Sequence, residues 1–385
     1  MKILSLAALI LQLMTTGCYG ESLQSGYAIA SNTRIAVGAA PNSVEVADLN
    51  LDGKPDFVVA NAGSNNVTIL LGDGKGKFVQ AKGSPFPAGS SPNDICIADF
   101  NGDGKLDLAI ANHEAKYLTI LLGDGGGGFK YAPGSPVTVL SRPHTHGVAC
   151  GDFNSDGKLD LVTDSWGENR VTVVFGNGPG GFSSPGSQFA VGKRPYQRVR
   201  VSDLNADGNA DIITTNLEGD NVTVLLGDGS GSFNEAAGSP FPCGKTPFFV
   251  AVGDLNRDKK PDLAIANWTG QGDQLENDGV TILLGDGRGS FKVMQGSPLR
   301  AGRAPSRLAI GDVNGDAIPD VVTTNYVSND ITVFLGGKGT LSRAATIAVG
   351  GEPDGIAISD LNGDGKADIV VANTRDNNIS VLLSK

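Results

Sequence analysis

The sequence predicts an all-β fold: a seven-bladed β-propeller of four-stranded blades, with an N-terminal strand closing the last blade. Three observations carry this. A unit of about 50 residues recurs seven times along the chain. Within each unit, apolar runs of strand length alternate with turns rich in Gly and Asp, and no helical period competes with them. The seventh unit ends one strand short, and a segment near the N-terminus supplies the missing sequence. Repeated four-stranded units cannot bury both faces alone, so they pack face to face around an axis.

The chain begins with an export signal. Lys2 precedes an apolar run over residues 3–14, and small residues follow up to Gly20. That run is short for a membrane span and suits a secretory leader. Its end, Thr15-Thr16-Gly17-Cys18, also resembles a bacterial lipoprotein box, with Thr15 where that pattern prefers Leu. Cleavage near Gly20 and lipidation at Cys18 both stay open. The expected location is therefore extracellular, or the cell envelope through a lipid anchor, and no later segment reads as transmembrane. Residues 1–20 form the leader, 21–32 a short linker and 33–385 a single propeller.

The core of the first unit is VADLNLDGKPDFVVAN at residues 46–61. Its leading Asp recurs with spacings of 51, 53, 51, 51, 58 and 48, the 58 reflecting an insertion at residues 270–278. Four strands are expected in each unit; in the first they cover residues 44–47, 56–60, 67–71 and a weaker stretch from Phe78. Between the last two lies Gly72-Asp73-Gly74-Lys75-Gly76, where Gly supplies the positive φ of a tight hairpin. Such turns account for most of the 55 Gly in 385 residues. The seventh unit stops after its third strand. Residues 35–41 copy residues 347–353, which lead from the sixth unit into the seventh. Residues 33–37 should therefore pair with 380–383, closing the ring and covering an exposed edge.

Between first and second strands each unit carries D-x-N-x-D-G-x-x-D. The copies are Asp48, Asn50, Asp52 and Asp56; Asp99, Asn101, Asp103 and Asp107; Asp152, Asn154, Asp156 and Asp160; and Asp203, Asn205, Asp207 and Asp211. The later three are Asp254, Asn256, Asp258 and Asp262; Asp312, Asn314, Asp316 and Asp320; and Asp360, Asn362, Asp364 and Asp368. Side-chain oxygens at offsets 1, 3, 5 and 9, with a backbone carbonyl at 7, suit a hard cation that takes six or more oxygens. Without a cation, three carboxylates in nine residues repel one another. Up to seven structural Ca2+ are expected, each tying a first strand to a second. The loop is not an EF-hand, which needs Glu at offset 12 and flanking helices. Gly at offset 6 is replaced by Lys259 and Ala317, where a left-handed backbone would be strained and binding weaker.

With these seven loops the chain resembles the FG-GAP or VCBS repeat family, the seven-bladed propeller also found in the integrin α-subunit head. The resemblance spans residues 33–385. It implies the propeller, bound Ca2+ and a role in adhesion, in lectin-like recognition or as a non-catalytic domain of carbohydrate-active proteins, without choosing among them. Calcium also accounts for the charge. Asp and Glu number 41 against 30 Lys and Arg, a net −11, and the seven loops use 21 of those acids. Seven divalent ions add fourteen positive charges, which takes −11 to +3. No basic stripe supports nucleic-acid binding.

Calcium occupies one face, so a ligand is expected on the other. There the units diverge. His113, Trp166, Trp268 and Tyr326 directly follow second strands, where other units have Ala62, Leu217 and Thr374. Inter-blade loops add His144, His146, Arg194, Tyr196 and Phe248. Near the axis, Glu45, Asp94, Arg198, Arg200 and Arg307 interrupt a background of small residues. The ligand-binding candidates are His113, His144, His146, Trp166, Tyr196, Arg198, Trp268, Arg307 and Tyr326. Aromatic faces interleaved with polar groups suit sugars. Two plainer readings stay open: aromatics sealing seams between blades, and charges pairing with one another. His144 and His146 share a face and form a metal-capable pair, for which the sequence identifies no third ligand.

Cys96, Cys150 and Cys243 are expected to be unpaired and buried, because Cys96 and Cys150 occupy adjacent offsets and should point to opposite sheet faces. No GxSxG elbow, HExxH pair or phosphate-cradling loop is present. The expected function is a non-catalytic binding module, monomeric, for carbohydrate. The alternatives are a protein-interaction or adhesion scaffold and, behind it, a polysaccharide-active enzyme.

Overall fold

The computed structural model describes residues 28–139, 144–268 and 279–385. The expected leader, Cys18 and the insertion at 270–278 lie outside the described residues. Every regular element among the described residues is a strand, and among those residues no helix is long and apolar enough to cross a membrane.

The strands form seven blades. In blade one Pro41–Ala47, Asp56–Asn61, Asn66–Gly72 and Phe78–Gln80 lie side by side, each antiparallel to the next. The fourth strand is split here: Phe86–Pro87 also pairs with the third strand, and blades two, four and five repeat the split. Blade three instead uses Ser187–Ala190 as its outer strand and adds a small hairpin, while blade six has one outer strand, Leu341–Ala348. Each first strand packs against the first strands of both neighbouring blades, around to the contact between Pro41–Ala47 and Pro353–Ser359. The propeller is therefore a closed ring.

Burial follows from this arrangement. All six residues of every second strand are buried, because a blade on each side covers them. The core lies in the seams. Val58, Val67 and Ile69 of blade one pack against Ile95, Leu108 and Ile110 of blade two. At the closing seam Val44, Phe57 and Leu70 meet Val370, Ile379 and Val381. Each such side chain contributes about 1.5–3 kcal/mol when fully buried.

Closure occurs as the sequence implies, with a longer strand. Ile29–Ala36 pairs antiparallel with Asn378–Ser384, setting Thr33 opposite Val381 and Arg34 opposite Ser380. The pairing starts before residue 33 because the third strand of blade seven runs on to Ser384, which gives Ile29 a partner.

Cys96 and Cys150 differ from the expectation that they are unpaired, while Cys243 matches it. Cys96 and Cys150 form a disulfide across blades two and three, with Cα atoms 6.3 Å apart. Opposite side-chain directions separate two residues of one sheet. In stacked blades, the back of one sheet faces the front of the next, so opposite directions bring these two together. Cys243 is free and buried, and burial pushes its thiol pKa up.

Deleting residues before Pro41 removes the closing strand and the half-buried Ile29, Ile35 and Val37. A loss of a few kcal/mol is expected, lowering Tm by several degrees in thermal unfolding. An unchanged Tm would show that this strand does not hold the ring.

Candidate functional site

The acidic loops all lie at the C-terminal ends of the first strands, on one face. In blade one, Asp48 accepts the N–H of Asp52 at 3.0 Å and of Gly53 at 2.8 Å, and Asn50 accepts Asp52 N–H at 3.1 Å. The residue at offset 6 is left-handed in every copy, including Lys259 at φ 64° and Ala317 at φ 62°. The strain expected at those two positions is therefore present. The ninth-position Asp has a role that the sequence did not reveal. Asp56 is fully buried, and its two oxygens accept N–H of Leu49 at 2.9 Å and of Gly72 at 2.8 Å. The same pair of bonds recurs in all seven blades and ties the loop to the third strand. Burial, with neighbouring carboxylates adding to it, pushes Asp107, Asp211 and Asp320 up to about 6. The donor set is all oxygen and carboxylate-rich, so the residues fit a hard divalent cation.

On the opposite face a cavity of about 550 Å³ opens at the axis. Tyr196, Phe248, Trp268 and Tyr326 form one side; Asn42, Ser91, Asn93, Asp354 and Thr374 are among those forming the other. The rings touch in sequence: Tyr196–Phe248 at 5.2 Å, Phe248–Trp268 at 4.4 Å and Trp268–Tyr326 at 5.4 Å between centroids. The Tyr326 hydroxyl donates to Glu352 at 2.9 Å, and burial with that carboxylate raises its pKa. An Asn ends the second strand in six blades, with Ser165 in the third, and anchors several of these turns. Asn325, for example, donates to Asp330 and Thr332 just before Tyr326.

Three candidates, Arg198, Arg307 and His146, are buried rather than presented to this face. Arg198 and Arg307 are buried, 2% and 1% exposed, and form a plug across the axis below the cavity. Arg198 pairs with Asp94 and donates to Ser43 at 3.2 Å. Arg307 donates to Asp354 at 3.1 Å and to the Asn93 carbonyl at 3.2 Å. Crowding at the axis buries these charges, and they pair with one another, leaving Arg198 Nε and Arg307 Nη1 without a partner among the described residues. A second cavity, about 260 Å³, lies on the far side of the plug and is lined by Glu45, Arg198, Arg200 and Arg307 among others. Burial pushes Glu45 up to about 7 there, against the pull of Arg200 and Arg307. Trp166 also departs from expectation. It packs beside the cavity against His144, at 5.3 Å, with the Arg194 guanidinium stacked 4.2 Å above it.

The three histidines converge. Ring centroids are 4.9 Å apart for His113 and His144, 4.5 Å for His113 and His146, and 5.7 Å for His144 and His146. His113 is the third member that the sequence did not connect with the His144–His146 pair, because it comes from the preceding blade's own turn. Burial and the two neighbouring imidazoles hold its pKa below the usual value. Sequence reasoning also missed Asp164, whose carboxylate lies 3.3 Å from His146 Nδ1. A signal existed: at this offset the other units have Ala60, Ala111, Thr215, Ala266, Thr324 and Ala372.

A closed seven-bladed propeller with a concave, half-aromatic face opposite its acidic loops is a binding module. The FG-GAP-like repeat profile matches residues 48–110, 99–163, 203–265 and 312–371, and the chain belongs to that family. No curated protein sequence matches it. Among solved structures it is similar to BBS1N, crystallised in complex with ARL6DN, at 13% identity and TM-score 0.61, covering 94% of this chain and 97% of that one. It is also similar to virginiamycin B lyase from Staphylococcus aureus, at 15% identity and TM-score 0.58, covering 92% and 99%. A functionally unknown protein from Desulfotomaculum acetoxidans gives 14% identity and TM-score 0.58, covering 88% and 91%. At these identities the likeness is one of fold.

Arg198→Ala should strand the Asp94 carboxylate in the plug. The expected loss is about 3–5 kcal/mol in urea unfolding. A loss below about 1 kcal/mol, the worth of an exposed pair, would show that the plug does not depend on Arg198.

Proposed function

We propose that the chain is an exported, calcium-stabilised, non-catalytic binding module whose axial cavity takes a carbohydrate. The observation that carries this reading is the two-sided lining of the cavity. Tyr196, Phe248, Trp268 and Tyr326 offer flat apolar surface on one side, while Asn42, Ser91, Asn93 and Thr374 offer hydrogen-bonding groups on the other. A sugar ring has the same division, with C–H faces and hydroxyl edges. A cavity of 550 Å³ falls within the usual range for small-ligand sites. Against glycoside hydrolysis stands the supply of carboxylates. Asp354 is the carboxylate in the lining and is held by Arg307, whereas that chemistry uses two carboxyl groups flanking the scissile bond.

A glycan array with the purified chain tests the ligand. Trp268→Ala should weaken glycan binding by roughly tenfold or more, while Trp166→Ala, beside the cavity, should change it little. Binding indifferent to Trp268→Ala would remove the site, and binding of a protein partner with no glycan signal would favour the scaffold reading.

Calcium would be held by the Asp and Asn oxygens at offsets 1, 3, 5 and 9 of each loop, where it would neutralise clustered carboxylates. EGTA should lower Tm, and each site saturated a hundredfold above its Kd should add about 2.7 kcal/mol. Loops carrying Lys259 and Ala317 should fill last in a calcium titration. A Tm independent of millimolar Ca2+ would refute the structural role.

A further inference from the structure

We propose that His113, His144 and His146 bind one divalent transition-metal ion, of the Zn2+ class, at the rim of the axial cavity. Donor atoms of the three rings lie within 4.8 Å of one another, the set of metal-ligating side chains among the described residues that converges this closely. Imidazole nitrogens suit Zn2+, Cu2+ and Ni2+, whereas Ca2+ takes oxygens, so this site and the acidic loops call for different ions.

Two further observations support it independently. His146 is 1% exposed, yet its Nε2 has no hydrogen-bond partner among the described residues. A buried polar atom left unpaired is destabilising, and a metal ion would satisfy it. Its other nitrogen, Nδ1, faces the buried Asp164 carboxylate. Donation of Nδ1–H to Asp164 leaves the Nε2 lone pair free for a metal, the arrangement that orients ligating histidines. His113 repeats the pattern, with Nδ1 3.1 Å from Glu114.

The second observation is in the backbone. His144 has φ 116°, a conformation that L residues seldom adopt, and it sets the third ring against the other two. Nearby, Gly147 lets the backbone of blade four and the Asp164 carboxylate approach closely. A Cβ there would lie 2.9 Å from the Arg198 Cα and 3.3 Å from Asp164 Oδ1. His113 also lines the axial cavity. Three protein ligands leave a fourth position, which water or a ligand oxygen can take from the cavity.

The test uses the purified chain without an affinity tag, in calcium-containing buffer, titrated with Co2+ and followed by calorimetry and visible absorption. One Co2+ per chain is expected, with the absorption of a low-coordinate ion that equimolar Zn2+ abolishes. His113→Ala and His144→Ala, both half-exposed positions, should remove this binding while the metal-free Tm stays near that of the parent. Asp164→Asn should weaken it roughly 10–100-fold, an effect that a purely structural carboxylate would not have. Absence of saturable binding, or saturable binding that His113→Ala and His144→Ala leave unchanged, would overturn the proposal.

Discussion

A blade of this protein is a sheet with two apolar faces, and its own chain can cover neither. Everything else in the architecture answers to that constraint. Each blade needs a neighbour on both sides, so the row of blades has no stable end and must close. Closure joins the two ends of the chain in one sheet, Ile29–Ala36 against Asn378–Ser384. It also explains why second strands are buried from end to end and why the core is distributed over seams rather than gathered in one place. In each blade one buried Asp accepts two backbone N–H groups and locks the loop to the third strand. Loops are thereby sorted to two faces, each free to carry its own chemistry.

The axis is where sevenfold repetition gives way. Six residues before the leading Asp stand Asn42, Asn93, His146, Phe248, Ser306 and Asp354 in six of the blades. Amides link some of them: Asn42 donates to Asn93, and Asn93 to the His146 carbonyl. One position later come Asp94, Arg198 and Arg307, which close the channel beneath. A buried ion pair seldom adds net stability over an apolar pair of the same size. The plug is better understood as a floor, since the Asp354–Arg307 pair borders the cavity on one side and the smaller channel on the other. A channel open at both faces would enclose nothing; a floored one makes a pocket.

The fold was legible because its signals are redundant. Seven copies of one loop, β-branched third strands and a split last blade each point to the same ring. Part of the aromatic side of the cavity was legible from one offset, because Trp268 and Tyr326 stand where other units have Ala62, Leu217 and Thr374. What escaped depends on how blades stack. Cys96 and Cys150 were placed correctly within their own sheets, and only the stacking of two sheets turns opposite directions into a bond. Arg198 and Arg307 were recognised as unusual, but their burial follows from the crowding of seven strands, which no single unit records. The histidine cluster was hidden for the same reason, since it draws on a turn of blade two and the entry to blade three.

The repeats also serve as an internal control on which buried polar groups the fold itself requires. The ninth-position Asp is buried in all seven blades with the same two bonds, and it belongs to the scaffold. Asp164 is different. At its offset six blades are built with Ala or Thr, so the sheet has no need of a carboxylate there. Burying one is costly unless hydrogen bonds offset the loss of water. Asp164 is fully buried, and its partners are the N–H of Gly147 and the His146 ring. Blade three thus departs from the pattern at Asp164, and the carboxylate it adds faces the His146 ring. The product is an imidazole held in one orientation with its outer nitrogen unspent, beside two other imidazoles and the mouth of the cavity.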